Sequence, residues 1–317
     1  MTAWVDVLLA PRPVGPVEPS PVPTLSILVP AYNAADTIGE ALESALTQRP
    51  APLEVVVSDD GSEDDLDSVL SGFGEQVRVV RGPNGGLATA RNRAAAVARG
   101  ELLGLHDADD VWLPGRAAAL TSAAAARPDL SIITTDAVVV RDGRPDTDSY
   151  YDIRSFETED QEAAILRSNF VFGAGAVRAS ALAAAGGYDP AARWAEDWDL
   201  WLRMILAGQR AGLVRAPLYE YRRRGGSLTD RKVDLALGVQ ALLRRARPQV
   251  TDPRLRTVLD HTRSQWAMAA VRSARASADP RRRRLALAAV RAGGHHPRTW
   301  ARLLVDGFLA RPVGPRG

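Results

Sequence analysis

Between Leu25 and Asp110 the chain alternates between two kinds of segment, and that alternation limits the folds open to it. "LSILVP", "LEVVVSDD", "QVRVV" and "ELLGLHD" are short, largely apolar runs of the kind a strand buried on both faces shows. Between them lie "ADTIGEALESALTQ", "SEDDLDSVLSGF" and "GGLATARNRAAAVARG". In the first of these, Ile38, Leu42, Ala45 and Leu46 recur at helical spacing. Ser62 is the expected N-cap of the second helix, and Gly100 the expected exit from the third. Strands separated by helices of this length require right-handed crossovers. The predicted fold is therefore α/β, with a mostly parallel central sheet covered by helices on both faces.

Beyond Asp110 the regularity loosens. "PGRAAALTSAAAARP" and "EDWDLWLRMILAG" read as helices and "LSIITTDAVVV" as a strand, while residues 141–160 are polar and aromatic, like a loop over a site. After Thr229 nearly everything is helical, with starts at "TDPR", "ADPR" and "HHPR", where proline suits a first turn. Three regions follow: a proline-rich leader, 1–24, expected to be disordered; an α/β domain, 25–230; and an arginine-rich helical C-terminal region, 231–317. The last carries 19 Lys+Arg against 5 Asp+Glu, a balance of +14 that leaves −12 on the rest, so the parts are expected to do different work. The chain has no cysteine, which excludes disulfides and thiolate-held zinc. The leader lacks a basic n-region, and no apolar stretch approaches the roughly 20 residues that span a bilayer. A cytoplasmic location is expected.

In an open parallel sheet, ligands bind outside the carboxyl ends of the strands. Those ends read "PAYN", "SDDGS", "RGPNGGLATARN" and "HDADD". Neither a G-x-G-x-x-G after the first strand nor a G-x-x-x-x-G-K-[ST] anywhere is present, so neither of the two common nucleotide loops is available. Asp107, Asp109 and Asp110 would repel one another unless a cation or protons compensated. Mg²⁺ and Mn²⁺ prefer oxygen ligands and are commonly held by one or two carboxylates plus a substrate diphosphate, a job Asp107 and Asp109 fit. Helix capping near Pro114 accounts for the same acids equally well.

Taken in order, "SILVPAYN", "VVVSDDGS", "NGGLATARN", "HDADD" and, some 85 residues later, "WAEDWDLWLR" resemble the family-two inverting glycosyltransferases, nucleotide-sugar enzymes of the GT-A fold. The resemblance spans about residues 25–229 and leaves the leader and the C-terminal region uncovered. It implies that Pro30, Ala31 and Tyr32 form a shelf for the nucleobase and that Asp59 reads the base edge, with Asp60 the alternative in that pair. Asn84, Gly86, Ala90 and Arg91 match the family's loop and helix near the base and diphosphate. Glycine amides and a helix N-terminus would favour phosphate there. Asp109 matches the direct metal ligand and Asp107 the residue touching ribose or metal, while Asp110 suits either role or a cap. His106 is off the ligand pattern and is expected to be a packing residue. In "AEDWDLW" the resemblance assigns Asp197 as catalytic base with Glu196 second. From the pattern alone the acids could equally be a solvated face and Trp198 and Trp201 core.

The resemblance thus implies Mn²⁺ or Mg²⁺ as cofactor, a nucleoside-diphosphate sugar as donor, with UDP-sugars favoured, and a carbohydrate or lipid-linked acceptor, as in cell-surface polysaccharide synthesis. Where many members carry a metal-binding histidine, this chain has Arg224 in "YRRRGGS". A guanidinium cannot bind metal, so Arg224, with Arg222 or Arg223, could instead pair with diphosphate oxygens, and a basic surface strand accounts for the same arginines equally well. In the C-terminal region Trp300, Leu303, Leu304 and Phe308 could form one apolar face. That face suits packing on the catalytic domain, a second subunit in a homodimer, or an anionic membrane contacted peripherally. No aromatic-basic motif supports nucleic-acid binding. Two rivals remain: a nucleotidyltransferase, disfavoured because "PAYNAADT" is neither glycine-rich nor lysine-bearing, and a non-catalytic nucleotide-sugar-binding module.

Overall fold

In the computed structural model, which describes residues 4–13, 15–152, 154–223, 231–276 and 281, the apolar runs become strands of one sheet. In chain order the elements begin with β1 (Leu8–Leu9), β2 (Leu25–Ala31), α1 (Ile38–Leu46), β3 (Glu54–Asp59), α2 (Leu66–Ser71), β4 (Val77–Arg81), α3 (Leu87–Val97) and β5 (Leu102–Leu105). They continue with β6 (Val111–Trp112), α4 (Arg116–Ala126), β7 (Ile132–Arg141), β8 (Arg144–Thr147), α5 (Gln161–Arg167), β9 (Ala176–Arg178) and α6 (Ala179–Ala184). α7 (Glu196–Leu206), β10 (Ala211–Arg223), α8 (Lys232–Ala246) and α9 (Pro253–Ala276) complete the described chain.

The strand order is β1-β10-β7-β9-β5-β2-β3-β4, with β6 paired to β10 and β8 to β7. β2 runs parallel to β3 and β5, β3 to β4, and β7 to β10. Short β9 is antiparallel to both β5 and β7. Its two neighbours therefore point the same way, and β10, β7, β5, β2, β3 and β4 all end on one rim. The sheet is mixed, with the expected parallel direction kept by these six. Because β9 is reversed it starts at that rim, where the Leu105 N–H donates to the Gly175 carbonyl at 2.8 Å. The stretch before β9 is thereby delivered to the strand ends.

Burial explains the elements. β2 and β3 are buried along their whole length, as strands covered on both faces must be. α1 buries Ile38, Ala41, Leu42 and Ala45, the stripe its sequence predicts, with Leu46 packed at the edge. Two helix ends differ from expectation. α2 begins at Leu66 after Asp65, and Ser62 instead joins two loops, its N–H donating to Asp59 Oδ1 at 2.9 Å and its Oγ accepting from the Asn33 N–H at 3.0 Å. α3 ends at Val97; a Cβ at Gly100 would lie 2.5 Å from the Ser26 nitrogen, so this glycine serves close approach to β2 rather than the helix exit.

Part of the proline-rich leader is tied to the sheet. Leu8 and Leu9 pair with Val214 and Leu213 on the edge of β10, and Trp4, Leu8, Leu9 and Ala10 pack against the core. Arg127 donates to the Pro11 carbonyl at 2.6 Å and Arg210 to the Arg12 carbonyl at 2.8 Å. A proline-rich strand lacks N–H donors, but its carbonyls remain, and surface arginines satisfy them. Within 141–160 the polar stretch includes β8, antiparallel to β7, and a short 3₁₀ turn at Tyr150–Asp152.

The chain divides into two units, Met1–Arg224 and Gly225–Gly317. In the second, α8 and α9 bury Val239, Leu243, Leu259, Ala270 and Ala274, and Arg247 pairs with Asp260 at 3.1 Å. α9 opens at Pro253, as "TDPR" predicts. Residues 278–280 of "ADPR", all of "HHPR", the apolar face from Trp300 to Phe308 and Arg224 lie outside the described residues. No helix among the described residues is long and apolar enough to cross a membrane.

Candidate active site

At the end of β5 the chain alternates between inward and rim-facing side chains. His106 turns inward and is fully buried, with Nε2 3.0 Å from the Ala41 carbonyl and 3.3 Å from Ser44 Oγ. Burial holds its pKa down to about 4, so it is a neutral packing residue, as expected. Asp107 and Asp109 are partly exposed at the rim. Asp110 is only 2% exposed, and its Oδ1 accepts from the Arg222 N–H at 2.7 Å while its Oδ2 accepts from the Tyr219 hydroxyl at 2.8 Å. The same hydroxyl accepts from the Asp107 N–H at 3.2 Å. Asp110 thus clamps the β5 exit to β10, a role beyond the metal, ribose or capping ones expected of it. Burial, with the charges of Asp107 and Asp109 added, raises its pKa well above the ordinary carboxylate range.

Arg91 joins this loop to the second acidic group. The guanidinium, 3% exposed, donates from Nη2 to Asp107 Oδ1 at 2.9 Å and from Nη1 to Glu196 Oε1 at 3.1 Å. Its Cζ lies 5.5 Å from the centre of the Tyr188 ring. Burial would lower the guanidinium pKa, but Asp107 and Glu196 outweigh it and the charge is held more firmly than usual. α3 also grips the segment before α7 through Asn92, which donates to the Tyr188 carbonyl and accepts from the Tyr188 N–H, both at 2.8 Å. Arg91, matched in sequence to the diphosphate region, thus ties the two acidic motifs together.

At the N-terminus of α7, Asp197 Oδ2 accepts from Asn169 Nδ2 at 3.0 Å and Oδ1 from the Trp198 N–H at 2.7 Å. A Cβ on Gly173 would lie 2.7 Å from Asp197 Oδ2, so the lack of a side chain there makes room for the carboxylate. Burial, with the charge of Asp197 added, pushes Glu196 up to about 7 despite Arg91. Burial raises Asp197 as well, against the opposing pull of Arg91 and its hydrogen bonds. Trp198 and Trp201 are core, and Asp199 pairs with Arg203 at 2.9 Å, away from the Glu196 partnership.

The glycine-rich loop departs from the sequence reasoning. The Gly85 N–H donates to Asp60 at 3.1 Å, the Gly86 N–H to Asp60 Oδ2 at 2.7 Å, and Arg93 Nη1 to Asp60 Oδ1 at 3.2 Å. The amides expected to meet phosphate are held by a carboxylate of the chain, and Gly86 shapes the loop through that bond. Asp59 accepts from the Ser62 N–H at the end of β3. Pro30 and Ala31 are buried in β2, opposite Ser58 and Asp59, whereas Tyr32, just past the strand, is 49% exposed. Asn84 is exposed on the loop. Asn169, Tyr219, Tyr188 and Gly173 were not singled out from the sequence: each acts on a residue far along the chain, and no local spacing announces it.

Can these groups hold a divalent ion? Asp107 and Asp109 offer hard oxygen donors at the rim, in a loop where three carboxylates fall within four positions and a cation would relieve their repulsion. Among the described residues no three His, Asp or Glu side chains converge as a metal set. Two protein carboxylates with the shell completed by substrate fit Mg²⁺ or Mn²⁺.

The profile of glycosyl transferase family 2 matches residues 26–186, just over half of the chain. The succinoglycan biosynthesis protein ExoU of Rhizobium meliloti (strain 1021) is 34% identical over 224 residues, covering 66% of this chain and 65% of its own length. The hyaluronan synthase of Pasteurella multocida is 42% identical over 96 residues, 29% of this chain and 10% of the synthase. The match therefore spans just under two thirds of the first relative and a tenth of the second. Among solved structures, S. aureus TarS 1–349 in complex with UDP-GlcNAc aligns with a TM-score of 0.59 at 19% identity, covering 89% of this chain and 80% of that one. The mannosyltransferase PcManGT from Pyrobaculum calidifontis, in complex with GDP-Man and Mn²⁺, aligns with a TM-score of 0.58 at 22% identity, over 92% of this chain and 82% of that one. At these identities they establish shared architecture: the mixed α/β sheet is of the GT-A type, with added C-terminal helices. The strand-end loops described above fall inside the matched profile, apart from the α7 acids that Arg91 draws to them, and the chain belongs to glycosyl transferase family 2.

Proposed function

We propose that this protein transfers a sugar from a nucleoside-diphosphate sugar to an acceptor hydroxyl by a single inverting displacement. The observation that carries the reading is the buried Arg91 bridge: it joins Asp107 on the donor-side loop to Glu196, whose neighbour Asp197 is the base. In this reading Tyr32, with Pro30 and Ala31 beneath it, supports the nucleobase and Asp59 meets its edge. Asp107 and Asp109 would hold Mn²⁺ or Mg²⁺, which neutralises charge on the departing diphosphate when bound. Asp197, aimed by Asn169 and the Trp198 N–H, takes the proton of the acceptor hydroxyl as it attacks the anomeric carbon from the face opposite the diphosphate. Glu196 stays anchored to Arg91. The relatives named for succinoglycan biosynthesis and for hyaluronan synthesis support a saccharide acceptor, and the UDP-GlcNAc and GDP-Man named for the two structures support the donor class; the preference for a UDP-sugar rests on Asp59 meeting the base edge.

The test is nucleoside diphosphate release from a panel of nucleotide sugars with Mn²⁺ and saccharide acceptors. Asp197→Asn is expected to lower kcat by about 10²- to 10⁴-fold, the usual worth of a general base, while nucleotide still raises Tm. Release unchanged in Asp109→Ala would remove the metal assignment. Nucleotide binding without turnover on any acceptor would make the chain a binding module instead.

A further inference from the structure

Arg116, the first residue of α4, is fully buried, and among the described residues it makes no carboxylate ion pair. Its guanidinium lies over two rings, with Cζ 4.9 Å from the centre of Trp112 and 4.5 Å from that of Tyr219. Nη1 donates to Thr135 Oγ1 and Nη2 to the Ala174 carbonyl. A buried cation without a carboxylate is costly, and apolar replacements of buried charges are often neutral or stabilising, so stability is a poor account of its presence.

Its contacts point elsewhere. Tyr219, under the guanidinium, is the side chain that receives the Asp107 N–H and donates to Asp110. Ala174, which the guanidinium fixes through its carbonyl, follows Gly173, whose Cα faces Asp197 Oδ2 with no room for a Cβ. One planar group thus touches both the ring that orders the carboxylate loop and the backbone that borders the base. Two hydrogen bonds from a fixed fork, with cation–π contact to two rings, are what arginine supplies and lysine does not.

We propose that Arg116 is a positioning residue, a buried strut that holds the Asp107–Asp110 loop and the Asn169–Gly175 segment at a fixed separation, so that the donor side and Asp197 stay aligned. This rests on the glycosyltransfer reading for its consequence in turnover, but the strut itself is a property of the fold and is read independently. Burial lowers the guanidinium pKa to about 9, still charged near neutrality, with Tyr219 and Asp110 opposing the shift.

The experiment uses the full chain with Arg116→Met, which keeps volume and removes fork and charge, and Arg116→Lys, which keeps charge alone. Hydrogen exchange read by mass spectrometry, which requires no turnover, is expected to rise at least about tenfold in both 105–112 and 169–176 in Arg116→Met, with Tm within a few degrees of the parent. With an active donor and acceptor pair, kcat is expected to fall at least about tenfold while the Kd of the nucleotide with Mn²⁺ changes less than about threefold, and Arg116→Lys recovers part of kcat. Tyr219→Phe, which keeps the ring and breaks the hydroxyl link, is expected to loosen 105–112 but not 169–176, and serves if Arg116→Met does not fold. Faster exchange confined to α4 and β7, loss of kcat only in step with Tm, or Tyr219→Phe without effect on 105–112 would overturn the proposal. No donor turnover in the parent protein would count against the glycosyltransfer reading and leave the exchange result to decide the strut.

Discussion

Glu196 and Asp197 are adjacent carboxylates with different restraints. Glu196 leans on a guanidinium, whereas Asp197 is held by an amide side chain and a backbone N–H. Burial raises the pKa of both, so each takes up a proton at a pH where an exposed carboxylate would not. A base works only when ionised, so turnover is expected to be full above its folded-state pKa and to fall as pH drops through it. The acid limb of kcat should therefore lie above the ordinary carboxylate range. Asn169 favours the ionised form by donating to it. Asn169→Ala removes that bond, raises the pKa further and moves the acid limb to higher pH, as a kcat profile from about pH 5 to 9 would read. A limb that stays in place would mean that Asp197 is not the group being titrated.

At the scale of elements, the segment before β9 borders Asp197, and in the proposed reaction it sets the acceptor-side geometry. Gly173→Ala introduces a Cβ 2.7 Å from Asp197 Oδ2 without requiring a left-handed backbone, so the carboxylate must move rather than the fold. The expected outcome is a fall in kcat of about tenfold or more with Tm changed by only a few degrees, checked by kinetics and thermal unfolding on the same preparation. The legibility of the fold follows the same logic. β2 and β3 were readable because strands buried on both faces leave apolar runs, and α1 because one helical face is buried. β1 and β9 were not: two or three residues carry no period, and the pairing of Leu8 and Leu9 depends on an edge of β10 more than 200 residues later. The acidic motifs announced themselves by composition, but their joining by Arg91 needed the crossovers of the sheet. Asp60 shows the limit most plainly. "DDG" and "NGG" each read as local turns, and only the adjacent ends of β3 and β4 reveal that one clasps the other.

Along the sequence, the candidate site and the basic excess separate. The described site side chains all precede residue 224, while the basic excess lies after residue 230. A chain ending at residue 224 is accordingly expected to keep the Tm increase produced by Mn²⁺ and nucleotide together, measured beside the full chain at equal ligand. Loss of that increase would show that the site draws on residues 225–317. The Asp60 clasp carries a thermodynamic consequence for the same measurement. If nucleotide binds beside this loop as proposed, the Gly85 and Gly86 amides, fastened from within, give it a surface that need not freeze around it. Little chain entropy is surrendered on contact, and the heat-capacity change of association is set by the area covered rather than by coil turning into structure.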